Sequence, residues 1–313
     1  MTQQIASRPD AVSTQRLAVA FLGLGAMGEP MCRCLTAASD DLEVTVFDIA
    51  TERTAALAAA GACAAASPAE ASRHADIVVL AVRDQEQLHA SVFGDNGVMS
   101  TLRPGATIIL TSTVGPDVVR ETARRLAEQQ VALLDAPVSG GPGRAAKGDL
   151  LVMVGAPDEV VARCRPVLDR IASTVAHVGP RPGDGQAMKA VNQLLCGVHI
   201  AAAAEAIALA RSLGLDPQIA LNVLGQGAAA SFMLADRGPR MIPDEGWTGP
   251  VRSRLDIFVK DMAIVGEVAR NAHMPTPVAS AAEQLYLLAE QAGLGPRDDS
   301  SVVSLFSPCR LER

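Results

Sequence analysis

Short apolar runs alternate with helix-like segments through the first 180 residues of the chain. Residues 17–22 form a continuous apolar run, which is typical of a strand that is buried on both faces of a parallel sheet. Six further strands are predicted at 44–47, 77–81, 107–110, 131–134, 150–154 and 175–178, with helices at 27–38, 51–60 and 117–130. This alternation predicts an α/β fold with a doubly wound, mostly parallel sheet of the Rossmann type.

The pattern changes at a cluster of Pro and Gly over residues 179–183, which is a boundary signal. Beyond it no segment has a convincing strand pattern. Residues 186–213 predict one long helix, an Asp216-Pro217 start signal predicts the next, and helices are also predicted at 254–271, 277–292 and 300–306. The sequence therefore predicts a flexible N-terminal tail (1–16), a dinucleotide-binding Rossmann domain (17–180) and an all-helical substrate and dimerisation domain (181–313).

The composition of the chain limits the kinds of partner that it is expected to bind. The 313-residue chain carries a formal net charge of −7, which argues against bulk attraction to nucleic acid or anionic membranes. No run approaches the roughly 20 apolar residues of a membrane span, and residues 1–16 lack the apolar core of a secretory signal. The six scattered cysteines are typical of buried thiols in a reducing cytoplasm, and we expect neither a metal site nor a nucleic-acid or membrane partner.

A glycine-rich turn follows the first predicted strand and opens a helix. It has the pattern GxGxxG, formed by Gly23, Gly25, Ala26, Met27 and Gly28. Such a turn brings the backbone and the helix N-terminus close to a pyrophosphate. Asp48 lies at the end of the second strand, twenty residues beyond the last glycine, where an acid accepts the ribose hydroxyls and repels a 2′-phosphate. The pattern favours NAD over NADP, although Arg53 nearby weakens that preference.

Other interpretations of the turn remain open. A Gly-rich turn with Asp48 as a strand-end cap is one of them. Flavin and S-adenosylmethionine Rossmann domains share the same turn and are the more serious competitors.

Ser139, Gly140 and Gly141 follow another predicted strand. Ligands in open α/β sheets bind beyond the carboxyl ends of strands. A hydroxyl and uncovered backbone N–H groups at that place suit a substrate carboxylate. An ordinary Gly/Pro loop would have the same composition.

A polar stripe interrupts the long helix of the second domain. Lys189, Asn192, Gln193 and Cys196 are spaced i, i+3, i+4 and i+7, so they share one helix face. If that face lines a cleft, partial desolvation lowers the pKa of Lys189 and makes it a usable acid and base. A solvated helix face is the alternative.

In combination, these motifs resemble the β-hydroxyacid dehydrogenase family, which includes 3-hydroxyisobutyrate and 6-phosphogluconate dehydrogenases. The resemblance covers residues 17–306 and rests on the glycine turn, on residues 135–141 with Ala145 and Gly148, on Gly185-x-x-x-Lys189-x-x-Asn192, and on Lys260-Asp261-Met262. It implies an NAD-dependent enzyme that oxidises a small anionic hydroxy acid.

The resemblance also implies roles for individual residues. Lys189 would be the catalytic acid and base, Asn192 would support the reacting group, and Gln193 stands where the family often has a second Asn. The substrate carboxylate would bind the Ser139 loop. The cofactor would contact Thr113, Lys260, Ala81 and Val82, the last two replacing the usual Leu-Pro.

Within the family, residues 192–202, 256–261 and 298–303 resemble the L-threonate dehydrogenase subgroup, which oxidises C2 of a four-carbon sugar acid. A 3-hydroxyisobutyrate dehydrogenase, a tartronate semialdehyde reductase and a non-catalytic dinucleotide sensor are the alternatives. The long helix, about 42 Å at 1.5 Å per residue, has a large apolar area to cover. This favours a homodimer or homotetramer.

Overall fold

The computed structural model describes residues 16–37, 40–243 and 248–306. The predicted tail therefore lies, apart from Arg16, outside the described residues. The chain begins with an α/β part and ends with a helical part, and the predicted fold class is confirmed.

The α/β part is built on one sheet, with nine strands among the described residues. They are β1 (Leu17–Leu22), β2 (Leu42–Phe47), β3 (Cys63–Ala64), β4 (Ile77–Leu80), β5 (Thr107–Leu110), β6 (Ala132–Asp135), β7 (Val138–Ser139), β8 (Leu150–Gly155) and β9 (Ala172–Gly179). The order is β3-β2-β1-β4-β5-β6-β8-β7, with β9 paired to β8. Strands β1 to β6 run parallel, whereas β8 is antiparallel to β6 and β7.

The strand order reverses at β1, which pairs with β2 on one side and β4 on the other. Ligands of open α/β sheets bind in the crevice beyond the strand ends at such a switch point. The glycine turn after β1 and the loops after β4, β5 and β6 therefore belong to one edge of the sheet.

Helices cover both faces of this sheet. They are α1 (Gly28–Thr36), α2 (Thr51–Ala58), α3 (Pro68–Ser72), α4 (Gln85–Phe93), α5 (Pro116–Ala127), α6 (Gly141–Ala145) and α7 (Asp158–Ile171). Alternate residues of β1 enter two separate cores, with Val19 and Phe21 packed against α1 and α7, and Ala20 and Leu22 on the α4 and α5 side. A strand covered on both faces needs an unbroken apolar run, which explains the pattern at 17–22.

The second part is helical, and no strand follows Gly179 within the described residues. Its helices are α8 (Asp184–Ser212), α9 (Pro217–Gln226), α10 (Phe232–Met241), α11 (Leu255–Asn271) and α12 (Pro277–Gln291), followed by a 3₁₀ segment, Asp299–Phe306. Helix α8 is central, and its Ile200, Ala204 and Ile207 pack in a core with Phe258 and Tyr286. We propose that the domain division lies after residue 180, between the last strand and α8.

Helix α8 is, among the described residues, the one helix long and apolar enough to cross a membrane by length and composition alone. No such segment is predicted from the sequence. In the fold its inner face forms the core of the helical part and its first turn contacts the sheet. Of the residues in its most apolar window, 44% are buried, so one face lies in the core and the other is exposed.

Several elements that are short or contain an internal proline are not predicted by the sequence pattern. Helices α7 and α10 contain Pro166 and Pro239 in their interiors, and an internal proline normally argues against a helix. Strands β3 and β7 have two residues each, too few to show a period. The predicted helix at 300–306 is a 3₁₀ segment.

Candidate active site

The glycine turn between β1 and α1 is packed so tightly that two of its glycines admit no side chain. Gly23 has φ +93°, and a Cβ there would lie 2.5 Å from the carbonyl oxygen of Ala81. A Cβ on Gly28 would lie 1.9 Å from the carbonyl oxygen of Gly23. Beside Gly25, in contrast, a Cβ would meet nothing within 4 Å. The chain itself therefore requires the first and third glycines, while the second borders open space that a pyrophosphate fits.

Ala26 and Met27 complete the turn, and α1 begins at Gly28 without a side-chain cap. Uncapped N–H groups at a helix start favour an anion.

Asp48 lies at the end of β2 directly beside this turn. Its carboxylate is buried and accepts hydrogen bonds from the backbone N–H groups of Leu24 (2.6 Å) and Ala50 (2.8 Å). The half-exposed Arg53 guanidinium lies 3.7 Å away. The position suits a ribose diol and disfavours a 2′-phosphate. The next residue, Ile49, is 82% exposed, an apolar surface that the sequence analysis did not single out.

Two further strand ends approach the same edge. Ala81 and Val82 follow β4, and Ser112 to Gly115 form the loop after β5. The Lys260 amine, on α11, donates a 2.6 Å hydrogen bond to the carbonyl oxygen of Thr113. Thr113 and Lys260, which the sequence separates by 147 positions, are thus direct neighbours in the fold.

Lys189 is buried in the first turns of α8, with 6% of its surface exposed. Burial lowers the pKa of its amine below 10.5, and the nearby Asp261 carboxylate opposes that shift in part. Among the described residues, no carboxylate oxygen lies within ion-pair distance of the amine. Lys189 therefore does not lie on a solvated helix face, and burial shifts its amine towards the neutral form, which can accept a proton.

Asn192 connects the lysine helix to the serine loop. The Ser139 hydroxyl lies 3.5 Å from its Oδ1 as a long hydrogen bond, and its Nδ2 donates to Gln193 Oε1 (2.8 Å) and Cys196 Sγ (3.3 Å). Gly140 and Gly141 both have positive φ, and the space beside Gly141 is open for 4 Å. The loop thus presents a hydroxyl and accessible backbone next to α8.

Gln193 is more deeply placed than Asn192. Its Nε2 donates a 2.5 Å hydrogen bond to Asp261 Oδ2, and its Oε1 accepts from Asn192. The Lys260 amine lies 2.8 Å from the other Asp261 oxygen. A continuous chain of polar contacts therefore runs from Ser139 through α8 and α11 to Thr113, and it passes close to Lys189.

A second buried polar pair is not predicted from the sequence: Asp135 at the end of β6 and Gln186 at the start of α8. Asp135 is fully buried and Gln186 is 1% exposed. Burial raises the pKa of Asp135 to about 6, although hydrogen bonds from Gln186 and Gly183 oppose the shift. The sequence does contain one indication of this pair, because Gln186 lies three residues before Lys189 and therefore on the same helix face.

Two surface depressions lie away from these residues. One, of about 90 Å³, is between α4 and α5, and the other, of about 400 Å³, lies beside α5 and α7. The described part of the chain holds no group of three or more His, Cys, Asp or Glu side chains placed to bind a metal ion. The chemistry-bearing groups converge instead at the switch-point edge.

Two family models match the two parts of the chain. A model described as the NAD binding domain of 6-phosphogluconate dehydrogenase matches residues 18–179. A model described as NAD-binding of NADP-dependent 3-hydroxyisobutyrate dehydrogenase matches residues 183–306. Together they span nearly all of the described structure.

Individual relatives match over the same length. The chain is 40% identical to an L-threonate dehydrogenase of Cupriavidus necator, covering 94% of this chain and 97% of the relative. It is 37% identical to an L-threonate dehydrogenase of Escherichia coli, covering 94% and 96%. A crystal structure of a 3-hydroxyisobutyrate dehydrogenase from Salmonella typhimurium superposes with a TM-score of 0.85 at 37% identity, covering 92% and 99%.

Because Lys189 is buried, we expect its side chain to lower the free energy of unfolding. Because the pKa of the amine is lowered in the folded protein, the unfolded chain binds that proton more tightly. Lys189→Met should therefore raise the free energy of unfolding at pH 7. A tenfold weaker proton affinity in the folded protein corresponds to about 1.4 kcal/mol. The difference should shrink as pH rises towards 10.5, where both states lose the proton.

Urea unfolding of both proteins at several pH values measures this difference. Lys147→Met, on a surface turn, is the matched control and should change little. A Lys189→Met protein that is less stable than the parent at pH 7 would contradict the assignment.

Proposed function

Because the chain belongs to the β-hydroxyacid dehydrogenase family, which includes 3-hydroxyisobutyrate dehydrogenase, we propose that it oxidises C2 of a four-carbon sugar acid such as L-threonate. The family membership itself makes it an oxidoreductase that acts on the CH–OH group of small hydroxy acids with a nicotinamide cofactor. The observation that carries the proposal is the buried amine of Lys189, which lies near Asp261 and Lys260 on the helix whose Asn192 contacts Ser139.

The residues of the glycine turn would hold the cofactor. Gly23, whose N–H group is bonded to the carbonyl oxygen of Phe47, would keep the turn tight. Gly25 and Gly28 would offer backbone N–H groups to the pyrophosphate, and Asp48 would accept from the adenosine ribose. Ala81, Val82 and Thr113 lie at the strand ends beyond this turn, where the nicotinamide half would extend, and Lys260 on α11 contacts Thr113. When bound, the nicotinamide ring accepts a hydride. The Asp48 carboxylate supports NAD as the preferred form.

Substrate binding falls to the serine loop and the face of α8. Ser139 and the backbone of Gly140 and Gly141 bind the carboxylate through charge-assisted hydrogen bonds. Asn192, which already contacts Ser139, orients the reacting hydroxyl. Gln193 holds Asn192 and Asp261 in place, and its assignment to substrate binding is a prediction that we retain.

Lys189 is the general acid and base of the proposed reaction. In oxidation, the neutral amine removes the proton of the C2 hydroxyl while the C2–H bond breaks and its hydride leaves to the cofactor. The products are a keto acid and a protonated Lys189, which returns its proton to water. In reduction the same amine donates the proton to the carbonyl oxygen. General acid–base assistance contributes roughly 10²–10⁴ in rate.

Lys189→Ala is therefore expected to lower turnover by at least about 10²-fold, while NADH binding remains, because the glycine turn and Asp48 are untouched. Steady-state kinetics and NADH fluorescence titration measure the two effects. Lys147→Ala, which removes a surface lysine, serves as the control. Turnover near that of the parent in Lys189→Ala would overturn the assignment.

A panel of three- to six-carbon hydroxy acids, assayed with NAD and with NADP, tests the substrate. We expect the highest kcat/KM with L-threonate and NAD, as the two relatives named L-threonate dehydrogenase support. Preference for 3-hydroxyisobutyrate would favour the activity in the name of the Salmonella structure. Preference for glycerate or for tartronate semialdehyde would favour a semialdehyde reductase. Cofactor binding without turnover of any substrate would indicate a dinucleotide sensor.

We also propose that the chain forms a homodimer or homotetramer in the cytoplasm. The outer face of α8 exposes apolar side chains at helical spacing, and the neighbouring α9 adds more: Met188, Val191, Leu195, Leu209, Ile219 and Val223 are each more than 40% exposed. An exposed apolar surface of this length is typical of a subunit interface. Five cysteines of the described chain carry free thiols, which suits a reducing compartment.

Light scattering should give at least twice the mass of one 32.4 kDa chain. Leu209→Asp places a charge in the apolar surface and should shift the protein towards the monomer. Gln129→Asp adds the same charge at an exposed position on the other domain and should leave the mass unchanged. A parent protein that scatters as a monomer would contradict the oligomer.

A further inference from the structure

We propose that Asp135 and Gln186 act as positioning residues, which together fix the start of α8 and the loop after β5 and so set Lys189 against the nicotinamide. The inference rests on the proposed function, because it assigns these residues a part in placing the proposed proton donor. Neither side chain need touch the substrate.

Asp135 acts as the cap of α8, although it lies 49 positions earlier than the first residue of that helix. Its Oδ2 accepts from the backbone N–H groups of Gly183 (2.8 Å) and Gln186 (2.9 Å). Gly183 itself, at the N-cap position, provides no side-chain cap. The N–H groups of a helix start need acceptors, and the helix dipole favours a negative charge there. The end of β6 supplies both.

Gln186 uses both ends of its amide at the same junction. Its Nε2 donates to Asp135 Oδ1 (2.9 Å) and to the carbonyl oxygen of Ser112 (3.0 Å). Its Oε1 accepts from the backbone N–H groups of Val114 (3.0 Å) and Gly115 (3.2 Å). All hydrogen-bonding positions of a buried amide are thereby occupied, which makes the arrangement specific.

The loop after β5 is consequently held from two sides. Gln186 binds its backbone at Ser112, Val114 and Gly115, and Lys260 binds the carbonyl oxygen of Thr113 from α11. Lys189 follows Gln186 by three residues and lies on the same face of α8. A change in the position of Gln186 would therefore move the proposed nicotinamide contact and the proposed proton donor relative to each other.

The start of α8 is packed too closely against β6 and β8 to leave room for a side chain at Gly185. A Cβ on Gly185 would lie 2.6 Å from the carbonyl oxygen of Met153 and 2.9 Å from Asp135 Oδ2. The first turn of α8 thus rests directly on β8 and on the Asp135 carboxylate. This contact explains why a glycine stands four residues before Lys189, a feature for which the sequence alone gives no reason.

Gln186→Met keeps the length of the side chain and removes all four hydrogen bonds of the amide. In the protein without cofactor, the amides of Val114 and Gly115 should then exchange with deuterium at least about tenfold faster, because their acceptor is lost. With the cofactor, kcat should fall at least about tenfold, since misplacement of a reacting group is costly. The isotope effect on kcat for substrate deuterated at C2 should increase, because hydride transfer becomes more rate-limiting.

Gln186→Asn is the second variant, in case Gln186→Met does not fold. It keeps the amide but is one methylene shorter, so it cannot reach both Asp135 and the loop, and the same changes should appear in weaker form. Ser72→Ala is the matched control, because it removes the hydrogen bonds of a buried hydroxyl to Pro68 and Thr101, away from the site. It should alter stability and leave kcat and the isotope effect unchanged.

A merely structural role would lower the stability of the Gln186 variants and leave kcat and the isotope effect of the folded protein at parental values, which would overturn the proposal. Unchanged exchange at Val114 and Gly115 would do the same. Lys189→Ala, assayed in parallel, separates this failure from that of the proposed function. If Lys189→Ala is inactive while the Gln186 variants are not, only the positioning role fails.

Discussion

One buried carboxylate joins the two parts of this protein. Asp135 ends β6 and caps α8, so a single negative charge satisfies the first turn of a 29-residue helix and fixes its direction relative to the sheet. Burying a carboxylate is costly, as the raised pKa of Asp135 indicates. Three N–H donors offset that cost only when α8 starts at this place, and the interaction therefore selects one docking geometry.

The position of Lys189 follows from that constraint. Lys189 lies one turn beyond the capped end of α8, where the helix is still packed against the sheet and water is largely excluded. Its burial lowers the pKa of the amine, whereas the Asp261 carboxylate works in the opposite direction. Asp261 is in contact with Gln193 and Lys260, so its charge is shared among several partners. The pKa of the Lys189 amine is therefore lowered even though an acid lies nearby.

The sequence predicted the elements whose signal is local. The apolar run at 17–22, the glycine turn and the spacing of Asp48 all depend on neighbours along the chain, and the structure places each at the switch point. For the polar stripe that contains Lys189, the sequence was equally compatible with a solvated helix face and with a face that lines a cleft. Spacing of i and i+3 shows that residues share a helix face, but it does not show what that face packs against. Burial of Lys189 excludes the first of these. Helices α7 and α10 were not predicted from the sequence because each contains an internal proline, which normally argues against a helix.

By itself, the sequence determined the fold class and the family and predicted candidate chemistry-bearing residues, since these follow from local period, turn geometry and motif spacing. Only the tertiary structure decided how those residues meet. The contacts between Thr113 and Lys260, between Gln193 and Asp261, and between Asp135 and Gln186 join positions that are 51 to 147 residues apart. No local pattern encodes such pairs, because they arise when the packing of helices and sheet brings distant polar groups into one buried junction.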